Sequence, residues 1–427
     1  MKKLVTLLAA AGMVVAASAP ANAVDVKADA RYRISFSSAE TGFKGVNKTD
    51  ARQRLRLGLT ATASENLSGY FQFQIGKDRW GTTTNTHGDH NNENGITLRQ
   101  AYIDWTVPAT AAKVRMGRFA MGLPADAVSS NAVFTGDWGN KEGVAISAPV
   151  TDNFGLSAMW ARVGADGNTV DSSKFDDLFA VVADTKFDGV KASVYAAYAA
   201  LDGSGAFGVT KGAGSGTNFK VEEGDAYWVG FTSTFTMFDP FTVKLSAAYG
   251  SFDAQDGTGD TDGWNVQAMA SYKLGFGTPF VAAWYFSGMD EKGDGLMPSI
   301  GGYFTPTRTY HDAAKGLNGG IAAGLPTGNW GVQAGIEGVS FLSNLSHEFK
   351  VTYMQGTNDE AVVKDNWELS EEDSLVEFDL VNTYKIYKNL SAHLELSYII
   401  SDFGGKNTKN DLTEDDWRAE LTFQYKF

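Results

Sequence analysis

VDVKADARYRISF, residues 24–36, alternates without a break: Val26, Ala28, Ala30, Tyr32, Ile34 and Phe36 are apolar or aromatic, while Asp25, Lys27, Asp29, Arg31, Arg33 and Ser35 between them are not. Period two of this kind is how a strand with one oily and one wet face reads. The last segment, DWRAELTFQYKF, residues 416–427, repeats it, with Trp417, Ala419, Leu421, Phe423, Tyr425 and Phe427 opposing Asp416, Arg418, Glu420, Thr422, Gln424 and Lys426. Residues 264–272, 280–286, 330–336, 345–353 and 390–398 do the same, and no helix-period segment of useful length competes.

Counting such runs gives eighteen strands, from 24–37 to 415–427; merging weak runs leaves sixteen. Short turns such as 64–66, 188–189 and 387–389 interleave with long polar loops, the longest at 288–328. Short turns on one side and long loops on the other predict an all-β, transmembrane antiparallel β-barrel with periplasmic turns and extracellular loops. Outward aromatics are expected at both ends of the apolar faces, in the pairs Tyr227 and Phe235, Phe241 and Tyr249, Trp264 and Tyr272, Phe280 and Phe286, Trp417 and Phe427. Eight residues of tilted strand rise roughly 20 Å, close to the height of a barrel's apolar band. A soluble β-sandwich has no reason to space aromatics by membrane thickness.

Composition narrows the function. Among 427 residues there is no cysteine, which removes disulfides, thiolate nucleophiles and Cys-ligated metal centres. Fifty acidic against 36 basic residues, a formal charge of -14, argue against a nucleic-acid partner. A mean hydropathy of -0.21 excludes a bundle of membrane-spanning helices. Lys2 and Lys3, the apolar stretch 4–19 and Ala21-Asn22-Ala23 read as a secretory signal peptide over 1–23. Its removal leaves 34 basic and 50 acidic residues, a charge of -16, on a single barrel domain over 24–427.

If apolar residues face lipid, the other parity lines the lumen. Arg52, Arg54 and Arg56 then share one wall with Arg31 and Arg33 of the preceding strand, a basic stripe of the kind that biases which ions pass. The alternative is that these arginines only pair with lumenal acids such as Asp29. The third long loop, 119–141, reads FAMGLPADAVSSNAVFTGDWGNK and is less polar than its siblings. Apolar loop residues need cover, so this loop is expected to fold into the barrel and narrow it, with Asp126 and Asp137 facing the arginine wall. Tyr70, Tyr102, Tyr195 and Tyr285 are read as lumenal, a possible contact track for one nutrient class.

Other motifs are weak. His87 and His90, with Asp89 and Glu93, stand in one polar loop as weak candidates to ligate a divalent cation, a loop of this kind being more often solvated. The acidic stretches 253–263 and 359–373 lack an EF-hand pattern but suit divalent cations shared with outer-membrane lipid and lipopolysaccharide phosphates. GSGAFG at 203–208 has no βαβ context, and neither a Walker sequence nor a G-x-S-x-G elbow occurs, so no cofactor and no enzyme activity are expected. Barrel enzymes also tend to be smaller.

The segments RQRLRLGLTATASENLSGYFQFQIG (52–76), LRQAYIDWTVPATAAKVRMGR (98–118) and RAELTFQYKF (418–427) resemble the outer-membrane homotrimeric porins of sulfate-reducing, Desulfovibrio-type bacteria, and the similarity runs from signal peptide to final residue. The resemblance implies a homotrimer of water-filled barrels passing ions and small hydrophilic solutes by diffusion, each constricted by its third loop. It also implies that Phe427, with Tyr425 and Phe423 on its face, is the signal read by the barrel assembly machinery. Eighteen strands exceed the sixteen of general porins and are closer to substrate-selective channels.

Overall fold

The computed structural model describes residues 25–41, 46–80, 96–136, 140–165, 175–202, 223–255, 260–311, 317, 326–363, 369–404 and 415–427. The signal segment 1–23, His87, His90 and Asp137 lie outside them.

Eighteen strands follow one another: β1 (Asp25–Thr41), β2 (Val46–Ser64), β3 (Leu67–Arg79), β4 (Ile96–Thr106), β5 (Lys113–Phe119), β6 (Lys141–Thr151), β7 (Phe154–Ala165), β8 (Phe175–Phe187), β9 (Val190–Leu201), β10 (Gly224–Phe235), β11 (Phe241–Ala254), β12 (Thr261–Tyr272), β13 (Thr278–Phe286), β14 (Asn329–Leu342), β15 (Leu345–Gly356), β16 (Ser374–Tyr387), β17 (Leu390–Asp402) and β18 (Asp416–Lys426). Each pairs antiparallel with its sequence neighbours, and β1 also pairs with β18, so the sheet closes. Closure leaves no unpaired edge, the condition for a sheet to sit in hydrocarbon. The chain ends meet at the seam, where Ala30 and Phe427 exchange backbone hydrogen bonds of 2.7 and 3.0 Å. Phe423, Tyr425 and Phe427 lie beside it; Tyr425 pairs with Tyr32 and its ring sits 5.1 Å from that of Phe427.

The outward face is what the alternation demands. Val181, Val194, Val229 and Val281 are 56–60% exposed in the middle of their strands. Toward the long loops the register aligns Trp160, Phe179, Tyr198 and Tyr227 on successive strands. Toward the short turns stand Phe154, Phe187, Phe235 and Phe241, completing two girdles.

The inward face departs from expectation. On β1–β4 it is polar, but on β7–β14 the lumenal residues Leu178, Tyr195, Trp228, Phe252, Trp284 and Phe286 are nearly fully buried. They are covered by the described residues of two loops folded into the barrel, L3 (120–136 and 140) and L7 (287–311, 317 and 326–328), which contribute Val133, Phe134, Ile300 and Phe304 to one apolar cluster. Burying each such side chain stabilises by about 1.5–3 kcal/mol, which holds the loops inside. β13 is therefore inverted relative to the sequence expectation. Phe280 and Phe286 point inward, with Trp284 and Phe286 against Phe304 at 5.4 and 4.8 Å, while Tyr285 faces lipid, stacked 4.8 Å from Trp264. In PFVAAWYF both parities are apolar, so alternation alone cannot choose a face.

Candidate functional site

The basic wall is built by register. Arg31 lies directly opposite Arg56, and Arg33 opposite Arg54, across β1 and β2 with their side chains on the same, lumenal face. Like charges directly opposite each other destabilise a sheet, so their presence marks a place where something other than stability is served. Neutral side chains orient them: Arg33 Nε donates to Gln424 Oε1 at 2.9 Å and Arg56 Nε to Gln74 Oε1 at 2.9 Å. Arg52 differs. It is 7% exposed and its Nε donates to Asp50 Oδ2 at 2.7 Å, while Arg79 Nε donates to Asp50 Oδ1 at 2.8 Å. Asp50 is thus shared by two guanidiniums and offsets part of the charge at the upper end of the stripe. Arg99 joins the cluster and acts electrostatically on Arg56 together with Arg31, Arg33 and Arg54. A register shift in β4 between Gln100 and Leu98 accommodates it. Its signal in sequence is the broken alternation Leu98-Arg99-Gln100-Ala101.

β5 is only seven residues long, so the chain leaves the wall at mid-height and L3 starts inside the barrel. The Asp126 end of L3 docks away from the arginines of β1 and β2, while Asn140 at its other end accepts from Gln100 Nε2 at 2.7 Å. The Ala127 amide donates to Ser246 Oγ (2.9 Å) and the Val128 amide to Gln267 Oε1 (3.2 Å), on β11 and β12, across the barrel from β1 and β2. Asp126 follows: it is 7% exposed, and Oδ2 accepts the Ala132 amide at 2.9 Å within the loop. The expected pairing of Asp126 with the arginine wall is thereby replaced by a role inside L3, because the apolar side chains of the loop pack against the β7–β14 wall and carry the carboxylate with them.

Burial pushes the Asp126 carboxyl up to about 7, against the Ala132 amide and the nearby Ser246 and Gln267, which lower it. The folded value lies above the unfolded one, so the stability this group allows is complete below the ordinary carboxylate range and is lost as pH rises through about 7. Amide exchange over residues 126–134, corrected for intrinsic rate, is expected to be slower at about pH 5 than at about pH 8, and Asp126→Asn to abolish the difference.

L7 lies against L3 and crosses to the far wall. Ile300 N donates to Val133 O (2.9 Å), Tyr303 N to Asn131 O (3.0 Å) and Thr135 N to Gly301 O (3.1 Å). At the crossing a Cβ on Gly302 would lie 1.8 Å from Ala132 O, so the position admits only glycine. Beyond it, three consecutive amides converge on Glu377 of β16: Arg308 N and Thr309 N donate to Oε1 at 3.0 and 2.7 Å, and Tyr310 N to Oε2 at 3.0 Å. The Arg308 side chain reaches Glu395 Oε1 (3.0 Å) and Glu348 Oε1 (2.9 Å), and the Leu317 amide reaches Glu420 Oε1 (3.0 Å). Glu377, Asp379, Glu395 and Glu420 are consequently 0–4% exposed. These acids, and L7 itself, were not singled out from sequence; the available signal was the aromatic-rich stretch MPSIGGYFTPTRTY at 297–310.

Of the four tyrosines, Tyr70 and Tyr102 meet in the lumen at 5.3 Å between rings. Tyr195 is 2% exposed beneath L3, where its hydroxyl faces Asn131 Nδ2 at 3.4 Å, and Tyr285 is outside.

A closed, lipid-girdled barrel with a polar strip along one wall and two loops filling the other side is an outer-membrane channel. The chain belongs to the Gram-negative porin family, whose model matches residues 4–295. Solved structures share the fold at low identity. Pseudomonas aeruginosa OpdK with vanillate is 11% identical with a TM-score of 0.59, covering 94% of this chain and 98% of that one. Pseudomonas aeruginosa OpdL is 13% identical with a TM-score of 0.59, covering 94% and 99%. Acinetobacter baumannii OccAB4 is 12% identical with a TM-score of 0.59, covering 96% and 100%. No curated protein matches the chain.

Proposed function

We propose that the channel passes small hydrophilic solutes by diffusion along the β1–β4 wall and favours anions. One observation carries this reading. The lumenal carboxylates of β16–β18 are covered by L7 and engaged by its amides and Arg308, whereas Arg31, Arg33, Arg54, Arg56 and Arg99 are only half-buried. Fixed charge facing water decides permeation, and along this wall the five arginines outnumber the exposed lumenal carboxylates Asp29 and Asp104, the latter already paired with Arg115. Replacing Arg54 and Arg56 with Gln is expected to move the zero-current potential in a KCl gradient toward cation preference. An unchanged potential overturns the reading. Arg52→Gln is expected to shift it less, since Arg52 is buried against Asp50 and away from the water path.

A second reading, a channel selective for one nutrient class, is favoured by two inserted loops instead of one. Saturable flux would distinguish it from open diffusion.

Further features of the proposal rest on the sequence. They are removal of 1–23 on export, assembly through Phe423, Tyr425 and Phe427, kinship with porins of sulfate-reducing bacteria, and a homotrimer. Outward rings mark contact with lipid headgroups. β2, β5 and β6 carry none on their outward faces, which suits contact with a second copy.

A further inference from the structure

On the short-turn side of L3, the lumenal wall of β3–β5 carries a flat aromatic and guanidinium surface outside the arginine stripe. Arg115 Nε and Nη2 donate to Asp104 Oδ1 and Oδ2 at 2.6 and 2.7 Å, a two-pronged pair that fixes the plane of the guanidinium. That plane lies 4.2 Å from the Tyr102 ring centroid and 5.5 Å from that of Phe119. Tyr102 in turn sits 5.3 Å from Tyr70 and 5.8 Å from Phe119. A cavity of about 440 Å³ opens beside it, lined by Asp104, Lys113, Arg115, Phe119, Ser147 and Met159 among others.

Stability does not account for this arrangement. Both partners of the Arg115–Asp104 pair are 40% exposed, and ion pairs so exposed contribute little. Asp104 also offsets the charge of Arg115, so what the arginine offers the cavity is its flat face. Stacking is what a planar guanidinium does and an ammonium cannot. The exposed ammonium of Lys113 supplies the uncompensated charge at the cavity's edge. The volume falls within the range of small-molecule sites, which combine apolar lining with a few oriented polar groups.

We infer that this shelf is a binding station on the permeation path for planar aromatic anions, which stack on the guanidinium of Arg115, held flat against Tyr102, with the negative group toward Lys113. The inference rests on the anion preference proposed above and names the class of anion retained. The test is planar-bilayer recording of the full-length channel in chloride, with benzoate or cyclohexanecarboxylate added. The two probes match in charge and approximate size but only one is flat. Benzoate is expected to interrupt the current with dwell times about tenfold longer, the ratio one stacking contact supplies. Tyr102→Leu and Arg115→Lys, in channels that still insert and conduct chloride, are expected to bring the two dwell times together. Arg115→Lys keeps the charge and removes the plane. Equal dwell times in the unmodified channel, or a benzoate excess surviving both substitutions, overturn the shelf and leave the anion preference standing. A cation-selective potential in chloride alone overturns that preference and the shelf's anions with it.

Discussion

Glu377→Ala combined with Arg308→Ala is expected to raise single-channel conductance severalfold, with the barrel intact. Glu377 is fully buried and its carboxylate accepts three successive L7 amides, while Arg308 bridges Glu348 and Glu395. Gln333 Nε2 holds the adjoining Pro306 carbonyl at 2.8 Å. Without Glu377 those amides are buried with no acceptor, and each buried donor left unsatisfied costs about 1–3 kcal/mol. Removing one partner of a buried pair costs about 3–5 kcal/mol, and Arg308→Ala takes the guanidinium away from both Glu348 and Glu395. Losing both ends of the mooring exceeds what apolar contacts such as Phe304 on Trp284 return, and L7 leaves the lumen. Glu377→Gln keeps the shape and a single carbonyl acceptor, and an intermediate conductance is expected. Recording in planar bilayers checks the series; a conductance unchanged in the double variant would show that L7 does not limit the path.

That mooring was hidden from sequence reasoning for a definite reason. The alternation in SLVEFDLVNTYKIY places Glu377 and Asp379 on the lumenal parity, so their facing was legible. Their partner is a loop segment about 70 positions away, and no local pattern announces which loop turns inward. L3 was legible because its apolar content needed cover. L7 carries a similar stretch within a longer polar frame, which diluted the signal. The arginine stripe was readable as parity, yet its electrostatics were not: Arg52 is buried against Asp50, two residues before it on the same face and shared with Arg79, and Arg99 enters through a shift in register. β13 shows the limit of the period itself, since a strand with lipid on one face and an apolar loop on the other is apolar on both and loses the polar marks that orient it. Strand number, closure and the girdles survived all of this, because lipid imposes one requirement on every strand at once.

That requirement gives the last prediction. Val194 on β9 is 60% exposed, opposite Phe231 of β10 and Ala183 of β8, and lies four residues from Tyr198 of the outer girdle. Four residues the other way, Val190 is level with Phe235 of the inner girdle, so Val194 stands at mid-height in hydrocarbon. An arginine there has neither water nor a carboxylate within reach, and Val194→Arg is expected to destabilise the folded barrel by about 2–4 kcal/mol. Its neighbour across the same sheet makes the control. Thr232 pairs with Ser193 on the opposite face, and both border a cavity of about 380 Å³ near the short turns that also holds Asp184 and Lys191. Thr232→Lys meets water there and is expected to change stability by about 0.5 kcal/mol or less. Urea unfolding in lipid vesicles measures both. Equal costs at the two sites would mean that lipid and water do not divide the faces of this sheet as the valines and the lumenal hydroxyls require.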